Sequence, residues 1–386
     1  MNVAAQTDYE ADLAARAPAL AGRGLPHRRV EEWKWTDVRA ALRQAPSAAG
    51  AITRESAFAA ADAYVVDVFA DAFERPAPDG VTIRAEAPRA VDAEGHPLAA
   101  IADALAPRVV RIAIAPGVDV SRPILLRAAA AGEAHAAIAI DVGEGARARF
   151  FEEFDAADGA FANGHGRATL GAGAALERVV LQSGGEMATL ASVFDVVVGE
   201  NARFAQTTLA FGAKLARLET RLRFEGAGAA ARLSGAALLG GARHADQTSR
   251  IEFAAPACEA RQVWKSAVAE TARAVFQGKF FVERAAQKTD ARMSADALLL
   301  SDRAEANHKP ELEIYADDVE CAHGSTSGAL DEAALFYMRQ RGLEASAARR
   351  LLVEAFIREA FDGLAEGPAA DALRALIAAW LEEAYG

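Results

Sequence analysis

Four short stretches decide the fold: Gly143–Phe150, GEGARARF; Gly171–Arg178, GAGAALER; Gly199–Gln206, GENARFAQ; and Gly226–Leu233, GAGAAARL. Their first glycines are spaced 28, 28 and 27 residues apart. A weaker copy, PACEARQV, starts 30 residues further on at Pro256, and a looser precursor, PGVDVSRPILL, starts at Pro116. Each period holds two runs of strand character. Before the glycine turn stand AAIAIDV (Ala136–Val142), VFDVVV (Val193–Val198) and LETRLRF (Leu218–Phe224); after it stands, for example, ARFAQTTLAF (Ala202–Phe211). Apolar and polar residues alternate, the period of a half-buried strand. Glycine supplies the backbone conformations of tight turns, and its recurrence every dozen or so residues rules out long helices.

Two strands per period at a steady interval suggest a parallel β-helix, in which each rung buries its face against the next. A β-sandwich also has frequent turn signals, but it has no reason to keep a 28-residue period. The expected class is therefore mainly β, with the β-helix over residues 106–328. Ala146, Ala174 and Ala202 are predicted to hold equivalent places on successive rungs.

The two ends read differently. Residues 8–20 look helical. Arg28–Leu42, RRVEEWKWTDVRAAL, reads as a helix or turn plus helix with Val30, Trp33, Val38 and Leu42 on one face, and Trp33 and Trp35 read as packing residues. Tyr64–Phe69 reads as a strand, so residues 1–105 form an expected α/β cap. Beyond the solenoid, residues 329–386 form an expected helical subdomain. A helix opens at Asp331 and stops at Gly342. A second, Glu344–Leu364, carries Ala348, Leu351, Leu352, Ala355, Phe356 and Ala360. A third, Ala369–Tyr385, carries Leu373, Leu376, Ile377, Trp380 and Leu381.

The 386 residues carry a formal net charge of −12, which argues against a nucleic-acid partner. The start, MNVAAQTDYEADLAARAPAL, has three early acids and no apolar core segment, and no run of about 18 apolar residues occurs. A cytoplasmic location without membrane insertion is expected. The two cysteines, Cys258 and Cys321, cannot supply a four-thiolate site, and both read as free thiols, Cys258 as a core residue. There is no phosphate loop, no G-x-S-x-G elbow and no H-E-x-x-H helix. The Gly164–Gly166 segment, GHG, reads as a loop. His244 and Asp246, two apart in a strand, share a face without that making them catalytic. The many carboxylates leave a carbohydrate-active β-helix enzyme, a polysaccharide hydrolase or lyase, as the competing function.

The segment from His244 onward is more specific: HADQTSRIEF, LLLSDRAE, KPELEIYADDVECAHGSTSG, LFYMRQRG and, near the N-terminus, EEWKWTDV. In kind and order these blocks resemble the SufD family of the Suf iron–sulfur cluster assembly system. Where that family's pattern often carries a second histidine after HxDxxT, this chain has Phe253. The resemblance implies a right-handed parallel β-helix and a non-enzymatic scaffold that pairs with a SufB-type paralogue. It also implies that residues 331–386 bind a SufC-type ATPase. No permanently bound cofactor is implied; a transient cluster forms at the SufB interface, with His323 and, beside it, Cys321 as candidate iron ligands. A strand puts both on one face. Cluster type, reduced-flavin binding and homodimerisation of the isolated chain stay open at this stage.

Overall fold

The structure, a computed structural model, describes residues 9–20, 24–47, 52, 55–69, 72–73, 76–88 and 96–385. In chain order come α1 (Tyr9–Arg16), α2 (Val38–Ala41), β1 (Tyr64–Asp67), β2 (Ala72–Phe73), β3 (Val81–Glu86) and α3 (Pro97–Leu105). The solenoid strands follow: β4 (Val109–Ile114), β5 (Ile124–Ala130), β6 (Glu133–Val142), β7 (Arg147–Ala156), β8 (Phe161–Leu170), β9 (Ala175–Gln182), β10 (Thr189–Val198) and β11 (Arg203–Ala210). They continue with β12 (Leu215–Phe224), β13 (Ala230–Leu239), β14 (His244–Phe253), β15 (Glu259–Val268), β16 (Arg273–Val282), β17 (Asp290–Leu299), β18 (Glu305–Ile314) and β19 (Glu320–Gly328). The chain closes with α4 (Glu332–Gln340), α5 (Ala345–Arg358) and α6 (Pro368–Tyr385).

Alternate strands stack into two sheets, β19-β17-β15-β13-β11-β9-β7-β5-β1-β2 and β18-β16-β14-β12-β10-β8-β6-β4-β3. From β4 onward every pairing within a sheet is parallel, which makes a β-solenoid of about eight turns. Parallel pairing needs a crossover between neighbours; here the crossover is the other sheet. The pitch is set at one corner. Gly117, Gly145, Gly173, Asn201, Gly228, Ala257 and Lys288 all have left-handed backbones and stack one above another. Each donates its amide to a carbonyl of the next turn, as Gly145 does to Ala172 (2.8 Å) and Gly173 to Glu200 (2.7 Å). The first glycine of each repeat has another role: a Cβ on Gly171 would lie 2.8 Å from the Glu144 nitrogen of the rung before. Just after each left-handed residue comes the predicted alanine. Ala146, Ala174 and Ala202 are fully buried, and the chain after each is bonded to the previous one (Ala175 N–H to Ala146 O, Arg203 N–H to Ala174 O, both 2.8 Å).

Inside, side chains of like kind stack along the axis. Phe224, Phe253 and Phe280 follow one another at 5.0 and 5.8 Å between ring centres, so the residue where the family pattern has a histidine is here a core aromatic. Cys258 is buried in the same core. Among the described residues the core also takes in a guanidinium, Arg178, which donates to Glu152 (3.0 Å) and Gln206 (2.8 Å) and lies 3.9 Å from the Phe194 ring centre. A buried guanidinium is tolerable only with such partners.

The outer faces are covered from both termini. The N-terminal segment lies on the second sheet: Trp33, Val38, Leu42 and α3 pack against Phe161, Ala191, Val193 and Leu215. Val30, expected on the same face, is exposed because the segment is two short turns, Glu31–Trp33 and α2, rather than one helix. The helical reading of residues 8–20 is met by α1; residue 8 lies outside the described residues. The C-terminal helices correct an expectation. Rather than continuing beyond the solenoid, α5 and α6 lie along the first sheet, where Val353, Ile357, Ala360, Leu373, Ile377 and Leu381 pack on Leu125, Phe151, Val179, Leu209 and Leu238. Lys265 pins them, donating to Glu359 (2.6 Å) and Asp296 (3.1 Å). Leu351, read as part of the buried face, is exposed, and the seam runs through Val353 and Ile357. α4 begins and stops as read, with the Asp331 carboxylate capping it and Gly342 at φ +89° ending it.

Gly145 tests the corner directly. A Cβ there would meet nothing within 4 Å, so a substitution costs only backbone strain. Gly145→Ala should lower the unfolding free energy by about 1–2 kcal/mol. Ala257→Asn, which suits the left-handed region better, should raise it by about 0.5 kcal/mol. Urea unfolding followed by circular dichroism reads both, and an unchanged midpoint for Gly145→Ala would dismiss the strain argument.

Candidate functional site

β18 and β19 are the last strands of the two sheets, and each has a neighbour on one side only. Among the described residues no helix closes this end, because α5 and α6 occupy the flank. Alternation therefore carries core-facing rows out into the open. The row Gln262, Met293, His323 runs along the first sheet. Its first two members are buried and the third is exposed. The parallel row Ala260, Ala291, Cys321 ends in a half-buried thiol that packs against the core. Cys321 and His323 thus share a face, as their spacing predicts.

Burial, with Asp290 adding, pushes the Cys321 thiol up; the Ala291 backbone partly offsets this. The thiol is therefore protonated at neutral pH and must lose a proton before it can ligate a metal. Among the described residues no hydrogen bond or ion pair engages the His323 ring, and no three His, Cys, Asp or Glu residues gather as a metal site. Whatever these two side chains bind must be completed from elsewhere. Sequence reasoning missed one neighbour. His308 on β18 extends the core-facing row of Gln247 and Phe276, its ring edge-on to Phe276 at 6.5 Å. Burial lowers its pKa, with Asp296 opposing, so the ring is neutral at physiological pH. The alternation in EANHKPELEI was the available signal.

The other residues singled out have structural partners. Asp246 accepts from Arg217 (2.7 Å) and from the Thr36 hydroxyl, not from His244. Arg217 also donates to Glu219 (2.7 Å) and stacks on Trp33 at 3.9 Å, and His96 completes the set at 3.2 Å from Glu219. Burial alone would raise Glu219, but His96 and Arg217 hold its carboxyl well below the usual range. This network fastens the N-terminal segment to the second sheet, which is the work of Trp33. The GHG segment is not a loop. It lies within β8, and His165 is fully buried between Asp103 (3.0 Å) and Asp195 (2.8 Å). The glycine at 166 makes room for the Phe194 ring, which would stand 2.4 Å from a Cβ.

With fold and site described, comparison with known proteins becomes decisive. Residues 125–356 match the domain described as SUF system FeS cluster assembly, SufBD core domain. The chain is 30% identical over 387 aligned positions to the iron–sulfur cluster assembly protein SufD of Escherichia coli, covering 92% of this chain and 91% of that one. It belongs to the SufBD family. Shorter matches join it to SufBD family proteins of Synechocystis sp. (36% over 167 residues, 43% of this chain and 37% of the relative) and Pyrococcus horikoshii (30% over 160 residues, 42% and 35%). A role in iron–sulfur cluster assembly follows from SufBD membership, and the competing carbohydrate-enzyme reading loses its support. No described helix is long and apolar enough to cross a membrane.

His165, buried, and His244, half-buried, predict a pH optimum of stability. Burial lowers the pKa of His165, but hydrogen bonds from its ring to the Asp103 and Asp195 carboxylates outweigh it and the net shift is upward. Its contribution is complete below the unfolded value and lost as pH rises through the folded one. Burial lowers His244 to about 4, so folding excludes a proton that the unfolded chain binds, and stability falls between pH 6.5 and about 4. Stability should therefore peak near about pH 6.5. His165→Gln should flatten the alkaline limb and His244→Gln the acid limb in urea titrations across this range. Limbs unchanged in both variants would refute the assignment.

Proposed function

We propose that this chain is a non-catalytic cytoplasmic scaffold. In this reading it pairs end to end with a SufB-type paralogue, carries a SufC-type ATPase on its C-terminal helices, and handles the nascent cluster as cargo at the paired ends. One observation carries the proposal: both sheets stop together, uncapped, with core-facing rows running out to the surface at His308, Cys321 and His323. An open edge is a template for another chain's strands, and a partner of the same fold presents matching rows. Exposed Ile314 and Tyr315 at the same end add apolar area that a partner would cover. The half-satisfied ligand set at Cys321 and His323 supports cargo shared across an interface rather than a resident cofactor. Imidazole ligates iron or moves a proton near neutral pH, and His323 is two residues from a thiol that must be deprotonated.

For the ATPase, support lies on α4 and the start of α5. Phe336 and Tyr337 are 65% and 59% exposed, and Leu343 and Leu351 lie exposed nearby in sequence. α5 and α6 are ill suited to deletion tests, since removing them strips the first sheet. Point changes are cleaner. Phe336→Asp with Tyr337→Ser should weaken SufC capture by about tenfold or more while leaving the melting curve unchanged. Unaltered capture would move the dock elsewhere.

The chemical test is separate. In a strain dependent on this Suf system, His323→Ala should abolish most cluster-dependent activity, while pull-down of the SufB-type partner and thermal stability stay near wild type. Cys321→Ala should have a smaller effect, because its thiol is half committed to packing. Full activity of His323→Ala would leave only the scaffold role.

A further inference from the structure

We propose that a groove on the outer face of the first sheet binds a phosphate-bearing polyanion, a function independent of cluster assembly. The groove encloses about 1000 Å³ between the turn at Val120–Pro123 and the Gly363–Ala365 loop that precedes α6. Its floor is shallow because Ala175, Ala205 and Ala230 occupy outward positions. Arginines rise around it. Arg147 and Arg203 stand two strands apart with Ala175 between them, about 10 Å at the backbone. Arg232 and Arg261 stand directly opposite on adjacent strands, about 5 Å apart.

Such like-charged neighbours are costly unless something neutralises them. Arg149 has Glu177 at 2.6 Å, and Arg261 has Asp290 at 2.5 Å and Glu259 at 3.1 Å. The guanidinium groups of Arg147, Arg203 and Arg232 have no hydrogen-bond or ion-pair partner among the described residues. Three guanidinium groups without a side-chain partner gather here, against one lining carboxylate not engaged by an arginine, Asp119 beside Arg147, in a chain whose net charge is −12. One is also held in place: a Cβ on Gly363 would lie 1.8 Å from Arg232 Nη1, so the guanidinium rests against that loop's backbone.

Guanidinium forks bind phosphate oxygens bidentately, and preorganised ones do so at lower entropic cost. Arg203 and Arg232 stand diagonally across adjacent strands, about 7–8 Å apart, within reach of two linked phosphates. Phe204, the aromatic residue bordering the groove, is directed into the core and offers no stacking surface for a base. Recognition is of charge and phosphate geometry.

The test is isothermal titration of the full chain with pyrophosphate and with tripolyphosphate at low ionic strength. Saturable one-to-one binding is expected, weakening with salt. Arg203→Gln and Arg232→Gln should each raise Kd about tenfold, the loss of one charge-assisted contact. Arg273→Gln, an exposed arginine on the other sheet paired with Glu305 at 2.7 Å, should leave Kd unchanged. Absence of saturable binding, or equal weakening by Arg273→Gln, overturns the proposal. So does a poly-glutamate peptide that binds at Arg203 and Arg232 and is not displaced by tripolyphosphate, since the occupant would then be a protein segment. Thermal melts of the variants guard against misfolding.

Discussion

The stacked corner residue, held in a left-handed conformation, is the constraint from which the rest of the architecture follows. Its amide reaches forward to the next turn, so each rung is positioned by a hydrogen bond made outside either sheet. Once that spacing is set, parallel pairing on both sheets has no freedom of register. A slip of one residue would turn every core phenylalanine toward water. Glycine and asparagine meet the conformational demand at little cost. Ala257 and Lys288 meet it in the last rungs with strain.

Closing the two broad faces is a separate problem, solved by the termini. On one side a hydrogen-bonded chain of side chains, His96, Glu219, Arg217, Asp246 and Thr36, holds the N-terminal turns in place. On the other, Lys265 draws the C-terminal helices onto an apolar seam. Isolated buried ions are costly, and here each is given several partners. With both flanks occupied, the open end is where core-facing rows and backbone edges emerge together.

The solenoid was legible because its period is written in glycine and alanine, the residues with least freedom to vary at a tight corner and beneath it. The helix boundaries around α4 were legible for the same local reason, a capping aspartate and a left-handed glycine. What sequence could not give was where elements lie against one another. Nothing in LLVEAFIREAF says that the helix lies along the sheet rather than past its end, and the choice exposes Leu351 and buries Val353. GHG looked like a turn because glycine usually punctuates. In β8 glycine is instead the mate of a large ring, and the histidine between serves the opposite face. Cys321 and His323 were found through family resemblance and spacing, whereas His308 became visible only once the alternation of β18 could be assigned an inside.

A stack whose units touch only their neighbours behaves as a one-dimensional chain. Its final turn has half the contacts of any other and lacks a covering helix, so by itself it is the part that opens first. In the proposed scaffold reading, His323 and Cys321 handle cargo at the turn that has a neighbour on one side only, and a partner's arrival would supply the missing one. Assembly would act as a switch: ligand geometry would be acquired at the moment of pairing, and an unpaired subunit would offer stray metal little to hold.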